Sequence, residues 1–576
     1  MNLSLLGRVS RIAAIGAILL SSASCITVNE ELGESFIPTD QKWDVFPQEP
    51  VDLQDIRLQM ADSLSGYNTS RFTFGAVNSK AFGTSIKSTC FSLVPVWDTL
   101  DFGEDMKIKQ FHFTAVRDTL SMVNDNELKM LQNVYVSELK KPLDSTVLYM
   151  NSLSDPAVLR EYVDIDNRIT IGTPVYAGGD SLSFDFSIDF AERFVEKLRK
   201  ADLDSVALYT EDLPGIYITT DAPAGEGGRI NMFNLNLLTS SGYITGNFAE
   251  LKFSARYDGS TEPKDTSFLF LFGPGDFIAV DEDDNITYPT QFAFNTSTHE
   301  SEGEYGKGGK VAEESIYVEG GSGIKPVVKA DELKTILEDL IAKEGINDPS
   351  EVVVNKATII LPYNVDGDYT LLEKYPTILS PTVRIRSTEG DYVTYAGLTD
   401  SSVESENQGE IDRSNLMYSP DISHHVQEIL NLDRNDADYA KKIENYDIWF
   451  LIMHEEVIET STNGNNYSNY PFNSYYNMMY DPYGYGYGYG GYGGYGGYGY
   501  GGYGGYGGYG GYNSYYNYYN YAMMAQMMYG SSSSTNKKTS TELDKDRFYN
   551  AVLNGPEANG AKPQFKVTFS APKSAE

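Results

Sequence analysis

From Asn465 to about Ser534 the chain is written almost wholly in glycine, tyrosine, asparagine, serine and methionine. It passes through Tyr483-Gly484-Tyr485-Gly486 and repeated Gly-Gly-Tyr triplets to Tyr512, then closes on Met523, Met524, Met527 and Met528. Glycine at two positions in three has the most conformational freedom to lose and no side chain to bury, so a core cannot offset the cost of ordering. A disordered Gly/Tyr-rich insertion is expected over 465–540, and any fold must be assembled from the sequence on either side. Beyond it, Phe548 to Pro556 reads as ordered chain, and Phe565, Val567 and Phe569 alternate as a strand. That strand is expected to return to the unit before the tract, which makes the tract an insertion between two strands.

The flanking sequence is mainly β in pattern. Lys109 to Thr114, Val134-Tyr135-Val136, Ile216-Tyr217-Ile218 and Phe268 to Phe272 are short alternating or wholly apolar runs bounded by Asp, Ser, Gly and Pro. Such runs, rich in β-branched and aromatic residues, predict antiparallel sandwiches. Two antiparallel β-sandwich-like units with a few short helices are expected: a first domain over 51–280, and a second over 310–464 completed by 541–576. Glu351 to Leu361, Thr382 to Ile385 and a central strand at Ile448 to Met453 belong to the second. Helices are predicted where apolar residues recur at helical spacing: Phe190, Phe194, Val195 and Leu198; Leu333, Ile336, Leu337, Leu340 and Ile341, ended by Gly345; and Val426, Ile429 and Leu430. In each unit a strand running into a short helix suggests a weak architectural repeat.

A formal charge of −37 repels phosphate backbones, and no Lys/Arg cluster offsets it, so nucleic acid is not an expected partner. The two cysteines are Cys25 and Cys90. Cys90 lies in the strand-like Thr89 to Leu93 and reads as a small buried hydrophobe.

No catalytic constellation stands out. His454-Glu455-Glu456 has no second histidine four positions on and reads as a strand end with a surface or sheet-edge histidine. His424 and His425 head a short helix and point in different directions. Asp366-Gly367-Asp368 and Asp281 to Asn285 lack the spacing and terminal glutamate of a calcium loop and read as polar turns. No Gly-x-Ser-x-Gly elbow or phosphate loop occurs. No metal, cofactor or enzymatic activity is expected.

The first segment is an address. Arg8 and Arg11 precede Ile12 to Leu20, too short to span a bilayer, and Ser21-Ser22-Ala23-Ser24 offers small residues for cleavage before Cys25. This resembles a bacterial lipoprotein signal over 1–24, with Ser22 where leucine is usual. The resemblance implies a diacylglycerol thioether on Cys25 and an acylated amino terminus; at about 0.8 kcal/mol per buried methylene, several chains hold lastingly. An acidic tether with Glu30 and Glu31 is expected over 25–50. It resembles an export signal of surface lipoproteins in the Bacteroidota. Asp-Ser/Thr triplets also resemble O-glycosylation acceptors of that phylum, at Ser63, Thr99, Thr119, Ser145, Ser181 and Ser205.

Phe74-Gly75 with Ala81-Phe82-Gly83 and Pro95, Val354-Asn355-Lys356-Ala357, Asp421 to Leu430, and Ala551 to Pro556 together resemble a Bacteroidota lipoprotein family. It carries a domain of unknown function of the four-thousand-two-hundred-and-seventy series. The resemblance implies a non-enzymatic lipoprotein of the outer membrane, lipid-anchored at Cys25 and facing outward. As a structural or interaction subunit it would bind an outer-membrane protein partner, the β-barrel assembly machinery being one such complex. A surface glycan binder using tyrosine platforms and a hydrolase assembled from distant acidic residues are the competing expectations.

Overall fold

The computed structural model describes residues 43–118, 130–143, 149–200, 205–240, 243–300, 309–386, 393–402, 407–460 and 536–573. The protein is mainly β, 45% strand against 17% helix, in several antiparallel sheets. In the strand Glu104–Val116, Phe111, Phe113 and Ala115 point inward and His112 and Thr114 outward, as a half-buried strand requires.

The first sandwich packs two sheets face to face. One runs Tyr135–Glu138, Ile216–Thr219, Gly83–Phe91, Ala293–Glu300, Tyr67–Asn68, with Arg71–Ser79 bridging Gly83–Phe91 to Gly227–Asn234. The other runs Ser181–Asp185, Glu104–Val116, Phe248–Arg256, Lys264–Phe272, Leu93–Pro95. Phe72, Phe91, Phe113 and Phe272 meet between them, Phe91 and Phe272 with ring centroids 4.8 Å apart. Each such ring contributes roughly 1.5–3 kcal/mol by leaving water. The helix Ile188–Lys200 covers one end with Phe190, Phe194, Val195 and Leu198; Asp189 in its first turn and Lys197, Arg199 and Lys200 in its last suit the helix dipole.

In the second sandwich, one sheet runs Trp43–Pro47, Gln564–Pro572, Val353–Pro362, Met417–Tyr418, Ile411–Asp412. The other runs Lys310–Val311, Ile56–Met60, Ile324–Val328, Ile448–Thr460, Ile378–Arg386, Val393–Gly397. Their shared core takes Leu333, Leu337 and Ile341 from the helix Ala330–Lys343, and Val426, Ile429 and Leu430 from Ser423–Leu430. Gly345, at φ +79°, ends the first of these helices. A ribbon of Ser315–Glu319 with Asn550–Asn554 completes the unit.

Four expected boundaries move. Trp43–Pro47, assigned to the tether, pairs with Gln564–Pro572, and Phe46 stacks on Phe569 at 5.6 Å. Val51–Asp52 and Ile56–Met60, assigned to the first unit, pair inside the second, because Ile56 and Leu58 fill its core. Ala293–Glu300, beyond the expected limit at 280, pairs along Gly83–Phe91 in the first. Ile448–Thr460 pairs with Asn536–Leu543 over its whole second half, so the second unit re-enters at 536 rather than 541. The Gly/Tyr tract lies outside the described residues, between these two paired strands.

Candidate functional site: a charged network between the sandwiches

The strand Ser315–Glu319 turns through Gly320-Gly321-Ser322-Gly323 into Ile324–Val328. Gly321 sits at φ +57°, and a Cβ there would stand 2.3 Å from Lys87 Nζ; at Gly323 it would stand 2.5 Å from Glu319 Oε2. Only glycine lets this turn close over the side chains beneath it. The turn's carbonyls wrap the Lys325 ammonium, which donates to the oxygens of Glu319, Gly321 (2.9 Å) and Gly323 (3.1 Å).

The first sandwich meets this turn with Gly83–Phe91 and Ala293–Glu300, whose register sets Lys87 opposite Ser297 and Ser85 opposite His299. Lys87 Nζ donates to Ser297 Oγ at 2.9 Å, and Ser297 Oγ lies 2.6 Å from His299 Nε2. His299 Nδ1 stands 3.1 Å from Glu319 Oε1, a carboxylate that also accepts from Ser85 Oγ. Beside them Arg71 donates to Asp118 (2.8 Å) and Asp546 (3.1 Å), while Asp544 Oδ1 accepts from the Arg547 backbone N–H at 2.9 Å.

Burial dominates the electrostatics. It pushes Lys87 down to about 8 and Lys325 down to about 7, with Glu319 opposing both. It pushes the Asp544 carboxyl up to about 6 against the pull of His454. It also lowers His299, again against Glu319. Burial works to raise Glu319, yet the charge and hydrogen bond of His299 and the Ser85 hydroxyl outweigh it and hold the carboxyl below its usual range.

Ser297, His299 and Glu319 have the distances of a nucleophile, base and carboxylate relay. Their side chains are nearly inaccessible, His299 at 1% and Glu319 at 0% exposure. A relay closed over by the 320–323 turn meets no substrate in the folded chain. What it does physically is cross-link two sandwiches through opposed buried charges, each of which is costly to leave alone in the interior.

Sequence reasoning missed this network. Its traces are a lysine inside the apolar pattern at Lys325, and a Glu-Gly-Gly-Ser-Gly run too short to mark a loop by composition. The residues that reasoning did select fall elsewhere. Cys25, Thr119 and Ser145 lie outside the described residues. Thr99 and Ser181 are exposed and Ser205 is half-buried. Ser63 is a correction: it is 5% exposed, its hydroxyl donating to Asp62 and accepting from Arg384 Nη2 at 3.0 Å, which leaves no room for a sugar. His454 is a second correction. It is 3% exposed inside the Ile448–Thr460 strand, because the pairing with Asn536–Leu543 and the acidic 544–546 segment cover what sequence reads as a strand end.

Other expectations agree. Cys90 is buried at 1%, and burial pushes its thiol far up, away from nucleophilic use. His424 pairs outward with Glu428, whereas His425 turns inward, its Nε2 2.8 Å from the Tyr446 carbonyl. Asp281 closes the turn between Ala279–Val280 and Ile286–Thr287 by accepting from the backbone of Asp283 and Asn285. Asp366 and Gly367 form a turn at positive φ. Compared with family models, curated proteins and solved structures, this chain matches none.

Proposed function

We propose that this chain is a lipid-anchored lipoprotein of the outer membrane, facing outward, that serves as a non-enzymatic structural or interaction subunit of an outer-membrane protein complex. The carrying observation is Cys25 behind its cationic, apolar and small-residue leader. Supporting it, a buried set of nucleophilic and titratable side chains is spent on joining two sandwiches. That suits a rigid body built to hold a partner. Among the described residues no helix is long and apolar enough to cross a membrane, so on this reading Cys25 carries the attachment. The loose motif likeness to Bacteroidota lipoproteins points the same way, toward a complex such as the β-barrel assembly machinery.

Replacing Cys25 with alanine is the test. Incorporation of a labelled fatty acid should vanish, and the protein should move from the membrane to the soluble fraction. Unchanged label and membrane recovery would overturn the anchor. Pull-down of the wild-type chain in detergent tests the second half: a chain recovered without a stable partner would overturn the subunit role.

A further inference from the structure

On the far side of the Lys264–Phe272 sheet from the main core, Val96, Leu271 and Ile278 form a small satellite core. Leu237, Ile244, Leu269 and Tyr288 pack against it. Two short ribbons frame it, Leu238–Ser240 with Tyr243–Gly246 and Ala279–Val280 with Ile286–Thr287. In the second ribbon Val280 stands directly opposite Ile286. Each is two positions from a satellite residue, Ile278 or Tyr288, so all four share one side of the ribbon. Val280 and Ile286 are nevertheless exposed, although the Ile278 N–H is held by the Val96 carbonyl at 3.1 Å. The satellite core therefore continues into solvent as a contiguous apolar stripe. Single exposed hydrophobics are ordinary, but a contiguous set marks a contact surface.

The rim of this stripe is acidic. The turn Asp281-Glu282-Asp283-Asp284 is exposed at the ribbon tip, with Asp276 and Asp98 exposed nearby in sequence. Asp281 is spent on closing the turn, and among the described residues no ion pair engages Glu282, Asp283 or Asp284. Lys252, on the adjoining strand, is already paired with Glu250 at 3.0 Å. This charge selects the occupant. A second copy docking by a two-fold axis through the stripe would bring acidic rim against acidic rim. An anionic lipid surface would be repelled in the same way. An apolar patch rimmed by lysine or arginine is complementary.

We infer that the stripe formed by Ile278, Val280, Ile286 and Tyr288 is the docking site for a protein partner with an apolar contact patch and a basic rim; the inference rests on the subunit role proposed above. The acidic turn steers the encounter.

The experiment places the photo-crosslinking residue p-benzoylphenylalanine at Val280 or Ile286 of the full chain in living cells, with Tyr369, an exposed residue of the second sandwich region, as control. Irradiation should give one protein adduct from both stripe positions and none from Tyr369. The cross-linked peptide should carry apolar residues flanked by lysine or arginine. Reversing the rim with Glu282→Lys, Asp283→Lys and Asp284→Lys should lower the adduct yield by about tenfold. No adduct, an adduct with a second copy or with lipid, equal yield at Tyr369, or a yield indifferent to charge reversal would each overturn the inference. A detergent pull-down of the charge-reversed chain separates the two levels. Partner recovery undiminished by reversal means that another surface docks and the subunit role stands, whereas no partner from the wild-type chain removes that role as well.

Discussion

Glu319 is the residue on which the junction turns. It accepts from Ser85, faces His299 at 3.1 Å, and offsets the charges of Lys87 and Lys325. Glu319→Gln keeps the shape and removes the charge that most strongly offsets both buried ammonium groups, leaving them only Asp544 and, for Lys87, Asp546. Loss of one partner from a buried pair costs about 3–5 kcal/mol, which chemical denaturation would read as a lowered midpoint. Lys87 gives the junction a pH signature. An unfolded lysine titrates near ~10.4, whereas Lys87 in the fold titrates at about 8. A folded value below the unfolded one means that the contribution is complete above the unfolded value and is lost as pH falls through the folded one. Unfolding free energy should therefore climb with pH from about 8 to 9.5, and Lys87→Met should reduce that climb to the share that Lys325, at about 7, adds in the same direction. The buried tyrosines, with values raised above 10, do not titrate in that window.

At the scale of elements, the hairpin that flanks the Gly/Tyr tract makes a sharp expectation. Thr460 pairs with Asn536, so the chain leaves and re-enters the sheet at neighbouring positions. Deleting Tyr483 to Tyr512 shortens the connection without pulling on its ends. Thermal unfolding should keep its midpoint and cooperativity, and a loss of cooperativity would place the tract in the core. Elements whose signal is local were readable in sequence: the stripes of Ile188–Lys200 and Ala330–Lys343, the apolar run at Ile448, the alternation at Phe565. What was not readable is pairing at long range. Nothing in Trp43-Asp44-Val45-Phe46-Pro47 announces Gln564–Pro572 as its neighbour, since a strand's pattern specifies a face and not a partner. The junction was hidden for a related reason. Ser85, Lys87, Ser297, His299 and Glu319 sit on three strands, and each alone looks like an ordinary polar residue on an outward face.

For the whole molecule, the second sandwich encloses the first in sequence, taking residues 43–60 from before it and 310–573 from after it. A chain lacking residues 43–60 should lose the second sandwich selectively, because Ile56 and Leu58 leave its core and Gln564–Pro572 loses two neighbours. Hydrogen exchange should show protection lost in Ile324–Val328, Val353–Pro362 and Gln564–Pro572 and retained in Glu104–Val116 and Phe248–Arg256. Uniform retention would overturn the split-unit reading. The pairing of Asp52 with Gln564, 512 positions apart, also imposes an order of events. A chain growing from its amino terminus presents residues 43–52 early, yet their seat does not exist until residues 564–572 arrive, so the first sandwich has time to form while that sheet stays open. Closure of that sheet then works as a completeness check. A molecule cut short before residue 564 keeps an unpaired strand and bare aliphatic side chains next to its start, where proteases find them.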